Sequence, residues 1–184
     1  MGRVMDDGAF EAVITAHHAE IHRYLVRVTG RRSEADDLSQ ETFLRAYRAH
    51  AGLPADANVR AWLFAIATNL CRNHFRGEKR RRLAHAAAEA AVPADDGGTP
   101  EGEMLLVEAR ARASEVVDGL PLKQRMAFIL RKVHELEYGA VGESLGCSAE
   151  TARAHVFQAL KKIRRAFDTL AMATAGAERT EPTR

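Results

Sequence analysis

Residues 84–100 place the strongest constraint on this chain, because they cannot belong to a packed core. They are alanine-rich at first, then acidic and glycine-rich, and they end in the run Asp95–Pro100. Such a composition is typical of a linker. The 184 residues are therefore expected to form two small domains, since domains usually contain about 50 to 200 residues. We assign a first domain to 1–84, a flexible acidic linker to 85–102, a second domain to 103–170 and a disordered tail to 171–184.

The charged residues divide the chain in the same way. The net charge is +4 over 1–85, −6 over 86–118 and +4 over 119–184, which together make the +2 of the whole chain. Two basic parts on either side of an acidic joint suggest two places that can meet a polyanion. The simpler alternative is that the basic side chains only solvate helix faces.

The composition gives no indication of a membrane-spanning or secreted chain. No stretch approaches the ~20 consecutive apolar residues that span a bilayer, and the first ten residues lack the apolar core of a signal peptide. Cys71 and Cys147 stand in separate halves and form no metal-type pair, which fits a reducing cytosol. We therefore expect a cytoplasmic protein.

The apolar residues of the first domain recur at helical spacing, and alternating β-branched runs are nearly absent. The first predicted helix ends at Gly30. Its apolar residues at helical spacing are Phe10, Val13, Ile14, Ile21, Tyr24, Leu25 and Val28. Ser33 and Asp36 resemble a capping box that opens a second helix, which is expected to end near Gly52. That helix is expected to bury Leu38, Leu44 and Tyr47.

A third helix of the first domain begins around Asn58 and carries an unusual set of side chains. It joins Trp62 and Asn69 to a run over 72–82 that has six basic residues and one acidic residue. Aromatic rings can stack on unpaired bases, and a cationic groove can follow a single strand. Because Trp62 lies at helical spacing from Ile66, we interpret Trp62 as mainly structural and the basic run as a phosphate contact.

The second domain has the order of elements of a helix-turn-helix. A helix over roughly 101–118, opened by Thr99–Pro100, is followed by a break at Gly119–Pro121 and a helix that buries Met126, Ile129 and Leu130. A short helix around Tyr138 to Leu145 then leads through a turn to Ser148, which caps a final helix from about Ala149 to Leu170. This order predicts an all-α protein of two small helical domains, the second with a helix-turn-helix.

Polar side chains are left for the outer face of the final helix. Arg, Gln and His can bond base edges in a major groove, while Lys suits phosphates. The outer residues are Thr151, Arg153, His155, Gln158, Lys161 and Lys162. Taken alone, this half also fits an ordinary helical hairpin with a basic surface.

A polar strip is predicted on the second helix. Asp37, Gln40, Glu41 and Leu44 lie three and four residues apart, which places them along one helix face. An acidic strip beside an apolar core suits a basic partner protein, although it also fits a solvated face.

Four segments, in this order and on both sides of the linker, resemble the sigma factors of bacterial RNA polymerase. They resemble specifically the small extracytoplasmic-function (ECF) group of the sigma-70 family, which has only regions 2 and 4. The segments are Asp36–Tyr47, Ala61–His74, Leu120–Arg125 and Leu145–Arg153. The resemblance covers roughly 8–84 and 103–168. It implies a protein that is not an enzyme, that binds core RNA polymerase and directs promoter recognition, DNA melting and transcription initiation, and that has an anti-sigma factor as a further partner.

The resemblance also implies roles for individual positions. Docking on a coiled coil of the largest polymerase subunit is implied for Asp37, Gln40, Glu41 and Phe43. Asn69 matches the position whose pocket receives a flipped base of the downstream (−10) element. Contact with the melted strand is implied for Arg72, His74, Arg76, Lys79 and Arg80. Reading of the upstream (−35) element is implied for Thr151, Arg153, Ala154, Phe157, Gln158, Lys161 and Lys162.

Several residues depart from the family pattern. Gly139 and Gly142 stand in the short helix where relatives usually have better helix formers, each at a cost of about 1 kcal/mol relative to Ala. Glu137 replaces the usual capping Ser or Thr. Ala154, His155 and Gln158 make the −35 half less cationic than usual, so we expect a different −35 sequence or weaker binding.

Two other functions fit parts of the sequence. A helix-turn-helix regulator that binds duplex DNA alone accounts for the second domain but leaves Asp37–Tyr47 and Asn69 without a role. A metal-dependent enzyme is suggested by His17, His18 and His22, of which the last two are four residues apart. No carboxylate motif nearby completes a catalytic site, so we expect no catalytic residue, no metal and no cofactor.

Overall fold

The computed structural model describes residues 7–54, 56–85 and 114–177, and every regular element in these ranges is helical. The first part contains α1 (Asp7–Thr29), α2 (Arg32–Ala49), a 3₁₀ turn (His50–Gly52) and α3 (Val59–His85). The second part contains α4 (114–118), α5 (Leu122–Phe128) with a π-helical turn (Ile129–Val133), α6 (Tyr138–Leu145) and α7 (Ala149–Ala177). The all-α prediction is confirmed. The linker and the expected cap at Thr99–Pro100 lie outside the described residues.

The ends of the first three helices follow from local chemistry. Gly30 ends α1 as predicted, with a φ of +73° that glycine adopts without strain. Asn58 caps the start of α3, because its Oδ1 accepts a hydrogen bond from Ala61 N at 3.0 Å. The capping box at Ser33 was wrong: α2 begins at Arg32, and its N-cap Arg31 makes no side-chain cap. Ser33 therefore lies inside the first turn.

The core of the first part lies where α1 crosses α2 and α3. The α1 residues Ile21, Tyr24, Leu25 and Val28 are fully buried, and Tyr24 Oη bonds Thr68 Oγ1 at 2.8 Å. Two burial predictions for α2 were wrong: Leu44 is 43% exposed and Tyr47 is 49% exposed. The prediction that Leu38 is buried is confirmed, and the helix also turns Ala35, Phe43 and Ala46 inward.

The helices of the second part agree closely with those predicted from its turn residues. Pro121 is the N-cap of α5, and Met126, Ile129 and Leu130 are buried. The end of α5 widens into a π-helical turn, which the sequence pattern did not indicate. α7 continues to Ala177, so the predicted disordered tail, which was to begin at 171, starts too early. None of the helices in the described ranges is long and apolar enough to cross a bilayer.

The two parts pack against each other through α3 and α6. Their buried apolar side chains form one continuous cluster that runs from Phe10 to Val156. Polar contacts cross the same boundary: Arg125 Nη1 donates to the Val28 carbonyl at 3.0 Å, and Arg60 donates to the His134 carbonyl. In this structure the helix-turn-helix is therefore fastened to the first part.

Candidate nucleic-acid and partner interfaces

The turn of the helix-turn-helix depends on two glycines. Gly146 has a φ of +64° and ends α6, and Cys147 N donates to the Gly142 carbonyl at 2.9 Å. A Cβ added to Gly142 would lie 2.7 Å from the Cys147 carbonyl oxygen, whereas one added to Gly139 would meet no atom within 4 Å. Gly142 is thus required by the close approach of the chain after α6, while Gly139 is not.

Ser148 caps α7 as predicted. Thr151 N donates to Ser148 Oγ at 3.2 Å, and the two hydroxyls lie 3.1 Å apart. The cap satisfies an amide that the first turn of a helix leaves without a partner. The Thr151 hydroxyl is therefore already engaged in the cap, although Thr151 itself is exposed.

α7 has one buried and one outer face. Ala152, Val156 and Ala159 are buried against the rest of the second part. All seven residues expected to read the −35 element are exposed: Thr151, Arg153, Ala154, Phe157, Gln158, Lys161 and Lys162. His155 is half-buried, and its pKa is lowered by desolvation and by the charge of Lys123. The exposed face therefore offers hydrogen-bond donors, charge and one bare aromatic ring, since Phe157 is 63% exposed.

One contact of this face was not foreseen from the sequence. The guanidinium carbon of Arg153 lies 5.0 Å from the ring centroid of Tyr138, the first residue of α6. Arg131 lies at the same distance from the same ring. Tyr138 stands fifteen positions before Arg153, so only the folded turn brings them together.

α3 presents the predicted strand-contacting residues in two groups. Asn69, Arg76, Lys79 and Arg80 are exposed. Arg72 is half-buried, and its Nη1 donates to the Asn69 side-chain oxygen at 3.3 Å. Trp62 is partly buried and packs against the core, which supports a structural role for Trp62.

His74 differs from the exposed residues of α3, because its ring is hydrogen-bonded to a carboxylate of α2. Its Nε2 lies 2.9 Å from Glu34 Oε2 on α2. Glu34, His74 and Glu78 bring their ligand atoms within 4.8 Å of one another. Arg31 Nη1 lies 2.8 Å from Glu34 and 3.9 Å from Glu78, so a guanidinium supplies the positive charge that this cluster attracts.

The α2 residues expected to bind polymerase differ in exposure. Asp37 and Gln40 are exposed, Glu41 holds Arg45 at 2.6 Å, and Phe43 is only 8% exposed. Gln40 and Phe43 line an open groove of about 780 Å³ between α1 and α2. Its apolar walls are Phe10, Ile14, Leu44 and Tyr47. The sequence pattern did not predict this groove, because Leu44 and Tyr47 were expected to be buried in the core.

The histidines that suggested a metal enzyme lie beside this groove. The rings of His18 and His22 are stacked with their centroids 6.2 Å apart. His22 Nε2 lies 2.6 Å from Asp36 Oδ1, which ties that histidine to a carboxylate of α2. The pair thus joins α1 to α2 at the edge of the groove.

In the described ranges, all regular elements are helical, and a helix-turn-helix with an exposed polar face occurs together with an exposed basic helix. This arrangement is typical of a DNA-binding protein. Residues 13–81 match the model of Sigma-70 region 2, and residues 110–163 match the model of Sigma-70, region 4. The chain belongs to the sigma-70 family of RNA polymerase sigma factors, in its ECF group.

Two known relatives can be aligned with most of the chain. The RNA polymerase sigma-H factor of Pseudomonas aeruginosa is 29% identical over 177 residues, which is 90% of this chain and 89% of that protein. The ECF RNA polymerase sigma-E factor of Haemophilus influenzae is 28% identical over 165 residues, 86% of this chain and 87% of that protein.

Two solved structures have a similar fold. One is the sigma factor RpoE of Bartonella quintana in complex with the anti-sigma factor NepR, with a TM-score of 0.69 and 20% identity over 86% of this chain and 96% of that chain. The other is CnrH in complex with the cytosolic domain of CnrY, with a TM-score of 0.65 and 20% identity over 89% of this chain and 90% of that chain.

Proposed function

We propose that this chain binds core RNA polymerase and directs promoter recognition, DNA melting and transcription initiation. The observation that carries the proposal is the outer face of α7, where Arg153, Gln158 and Lys161 are all exposed. This helix follows the turn of the helix-turn-helix and is capped by Ser148. An exposed basic helix, α3, occurs in the same chain. A protein of this kind acts without catalysis of its own and works on DNA in the cytoplasm.

The work is divided between two domains, 1–84 and 103–170, joined by the acidic linker 85–102. The two family models support this division, because they match residues on either side of the linker. Each half also carries its own basic surface, one on α3 and one on α7.

The second domain reads the −35 element with α7. An arginine can donate two parallel hydrogen bonds to a guanine, and glutamine can pair with an adenine in the same two-point manner. Arg153 and Gln158 are exposed and suited to this role, while Lys161 and Lys162 suit phosphates further along. The bare ring of Phe157 suits an apolar contact such as a thymine methyl group.

The first domain binds the melted −10 element with α3. Asn69 is exposed and held by Arg72, so its amide has one fixed neighbour and one free side for an extruded base. Arg76, Lys79 and Arg80 are exposed along the same helix and suit the backbone of a single strand. His74 acts as a brace between α3 and α2, because its ring is bonded to Glu34.

Core polymerase binds the surface of α2 that Asp37, Gln40 and Glu41 form. Phe43 contributes to the wall of the α1–α2 groove rather than to the exposed surface. A helical partner with basic and apolar side chains fits both features. RpoE and CnrH were each solved with a protein partner, NepR and CnrY respectively, and we extend to this chain a regulatory partner of the anti-sigma type.

Run-off transcription on genomic fragments, with core polymerase alone and with core plus this protein, tests the proposal. Specific transcripts are expected only when both are present. A double variant, Arg153→Ala with Gln158→Ala, serves as the matched control, because it should keep core binding and lose promoter choice. Tight sequence-specific binding of the isolated protein to duplex, with no effect on core polymerase, would instead identify a stand-alone regulator.

A further inference from the structure

We propose that Tyr138 is a positioning residue for promoter recognition: its ring holds the Arg153 guanidinium in the orientation in which Arg153 reads the −35 element. The inference rests on the proposed function and adds a specificity-determining residue outside the recognition helix. Tyr138 begins α6, whereas Arg153 lies on α7.

The contact is a guanidinium over an aromatic ring. The guanidinium carbon of Arg153 lies 5.0 Å from the ring centroid of Tyr138, within the ~6 Å over which a cation is attracted to a ring face. Within the described residues, the Arg153 side chain forms no hydrogen bond and no ion pair. Glu150, three residues earlier on α7, attracts Arg153 through its charge alone, so the ring is the contact that restrains the orientation of this exposed side chain.

The ring itself is held independently of Arg153. Tyr138 is half-buried and packs against the hydrophobic core. Arg131 lies 5.0 Å from its centroid and donates from Nη1 to the Leu136 carbonyl at 3.3 Å. The ring is thus fixed by the core and by a second arginine that is anchored to the backbone. Arg153 can adapt to the ring, and the ring has little freedom to adapt to Arg153.

Stacking suits a base-reading arginine because it uses a part of the group that DNA does not need. A guanidinium stacks with its planar face, while its N–H donors lie along its edge. The edge remains free to donate two parallel bonds to a guanine. A free arginine side chain has many rotamers, whose loss opposes binding. A ring that selects among them before DNA arrives removes part of that opposition.

Three variants separate this role from simple packing. Tyr138→Leu removes the ring, Tyr138→Phe keeps the ring without the hydroxyl, and Arg153→Ala removes the reader. Holoenzyme made with each variant is assayed on promoters in which every −35 base pair is changed in turn. If the leucine variant does not fold, Tyr138→Met replaces it, since Met is unbranched and favours helices.

The preference at one base pair should fall strongly in Arg153→Ala and about two- to fivefold in Tyr138→Leu, the range expected for an exposed cation–ring contact. Tyr138→Phe should keep the wild-type preference. The double variant Tyr138→Leu with Arg153→Ala should lose no more than Arg153→Ala alone. Nitrogen relaxation of the Arg153 Nε in the free protein should show a more mobile guanidinium in Tyr138→Leu only.

The outcomes separate the two claims. If Arg153→Ala alters preference at no −35 position, the assignment of Arg153 as a reader fails, and the role of Tyr138 fails with it. If Arg153→Ala alters preference while Tyr138→Leu does not, the reader stands and the positioning role is overturned. Additive losses in the double variant, or an equally mobile Nε in wild type and Tyr138→Leu, also overturn it.

Discussion

His134 Nδ1 lies 3.2 Å from Glu20 Oε1, which joins α1 to the end of the π-helical turn 114 residues further along the chain. Arg60 completes the arrangement, because it pairs with Glu20 through Nε at 2.9 Å and donates to the His134 carbonyl. The His134 ring is 4% exposed and packs beside Tyr24 and Phe64. These contacts fasten the helix-turn-helix part to the first part.

Stability should depend on pH through Glu20. The hydrogen bond from Arg60 lowers the pKa of Glu20 from 4.5 to about 2, against the opposing effect of burial. An acid whose pKa is lowered by folding stabilises the protein above its unfolded pKa and loses that contribution as pH falls towards its folded pKa. Glu20→Gln should therefore reduce the free energy of unfolding near neutral pH by on the order of 1 kcal/mol, because solvent screens part of the effect at this partly exposed carboxylate.

Denaturant unfolding at several pH values measures this effect. The difference in the free energy of unfolding between wild type and Glu20→Gln should shrink as the pH falls from 4.5 to about 2. Burial also lowers the pKa of His134 below 6.5. As the pH falls, His134 is therefore protonated in the unfolded chain before it is protonated in the folded chain, and wild type should begin to lose stability below pH 6.5. A difference between the two proteins that stays constant from neutral to acid pH would contradict the role of Glu20.

The glycines of α6 provide a matched pair. Gly139→Ala should stabilise the protein by about 0.5–1 kcal/mol, because nothing lies within 4 Å of the added Cβ and alanine favours helices. Gly142→Ala should destabilise it by on the order of 1–3 kcal/mol, because its Cβ would lie 2.7 Å from the Cys147 carbonyl oxygen and overpacking is costly. Thermal unfolding of both variants checks the signs, and equal effects would disprove this account of the turn.

Helical periodicity predicted the local elements well and the relations between distant elements poorly. The short helix predicted around Tyr138 to Leu145 is confirmed, because Gly146 and Ser148 mark the turn that follows it chemically. Leu44 and Tyr47 were misplaced, because the helical pattern finds an apolar stripe without telling a core from an open groove. The ring under Arg153 and the pairing of Glu20 with His134 depend on the meeting of residues far apart in sequence, which periodicity does not describe.

The contact between α3 and α6 should open when promoter DNA binds. Elements named −10 and −35 lie about 25 base pairs apart, which is on the order of 80 Å along B-DNA. The two reading helices, α3 and α7, cannot reach both elements while α6, which packs against α7, also packs against α3. Dyes at Leu83→Cys and Glu143→Cys, in a Cys147→Ser background, should move apart by tens of ångströms between the free protein and the promoter complex. A dye pair at Asp56→Cys and Leu83→Cys, both in the first part, should not change.

Core binding should depend on the charges of α2. Reversing Asp37 and Glu41 to lysine should weaken the complex with core polymerase, and more so at low salt, because exposed charges are already screened at high salt. A matched control reverses Glu11 and Asp56, two exposed acids elsewhere in the first part. Co-purification with core at two salt concentrations measures both proteins. Equal retention of the two variants would refute the docking surface.

The division of labour between α7 and α3 gives the sharpest test of the proposed function. Arg153→Ala should cost about 1–3 kcal/mol at its cognate base pair if Arg153 makes a two-point contact. The variant should change −35 preference and still form an open complex on a pre-melted template. Asn69→Ala should do the reverse, because extruding a base costs a few kcal/mol that pocket contacts must offset.

Permanganate footprinting on linear and bubble templates distinguishes the two variants. Asn69→Ala should bind duplex promoter nearly as wild type does and open it poorly, and a pre-melted −10 bubble should rescue it only in part. The Arg72 side chain holds the Asn69 oxygen at 3.3 Å. Because Arg72→Ala removes this hydrogen bond and leaves Asn69 unrestrained, it should share part of the opening defect. An Asn69→Ala protein that opens promoters normally while changing −35 preference would show that the two readout sites are assigned to the wrong helices.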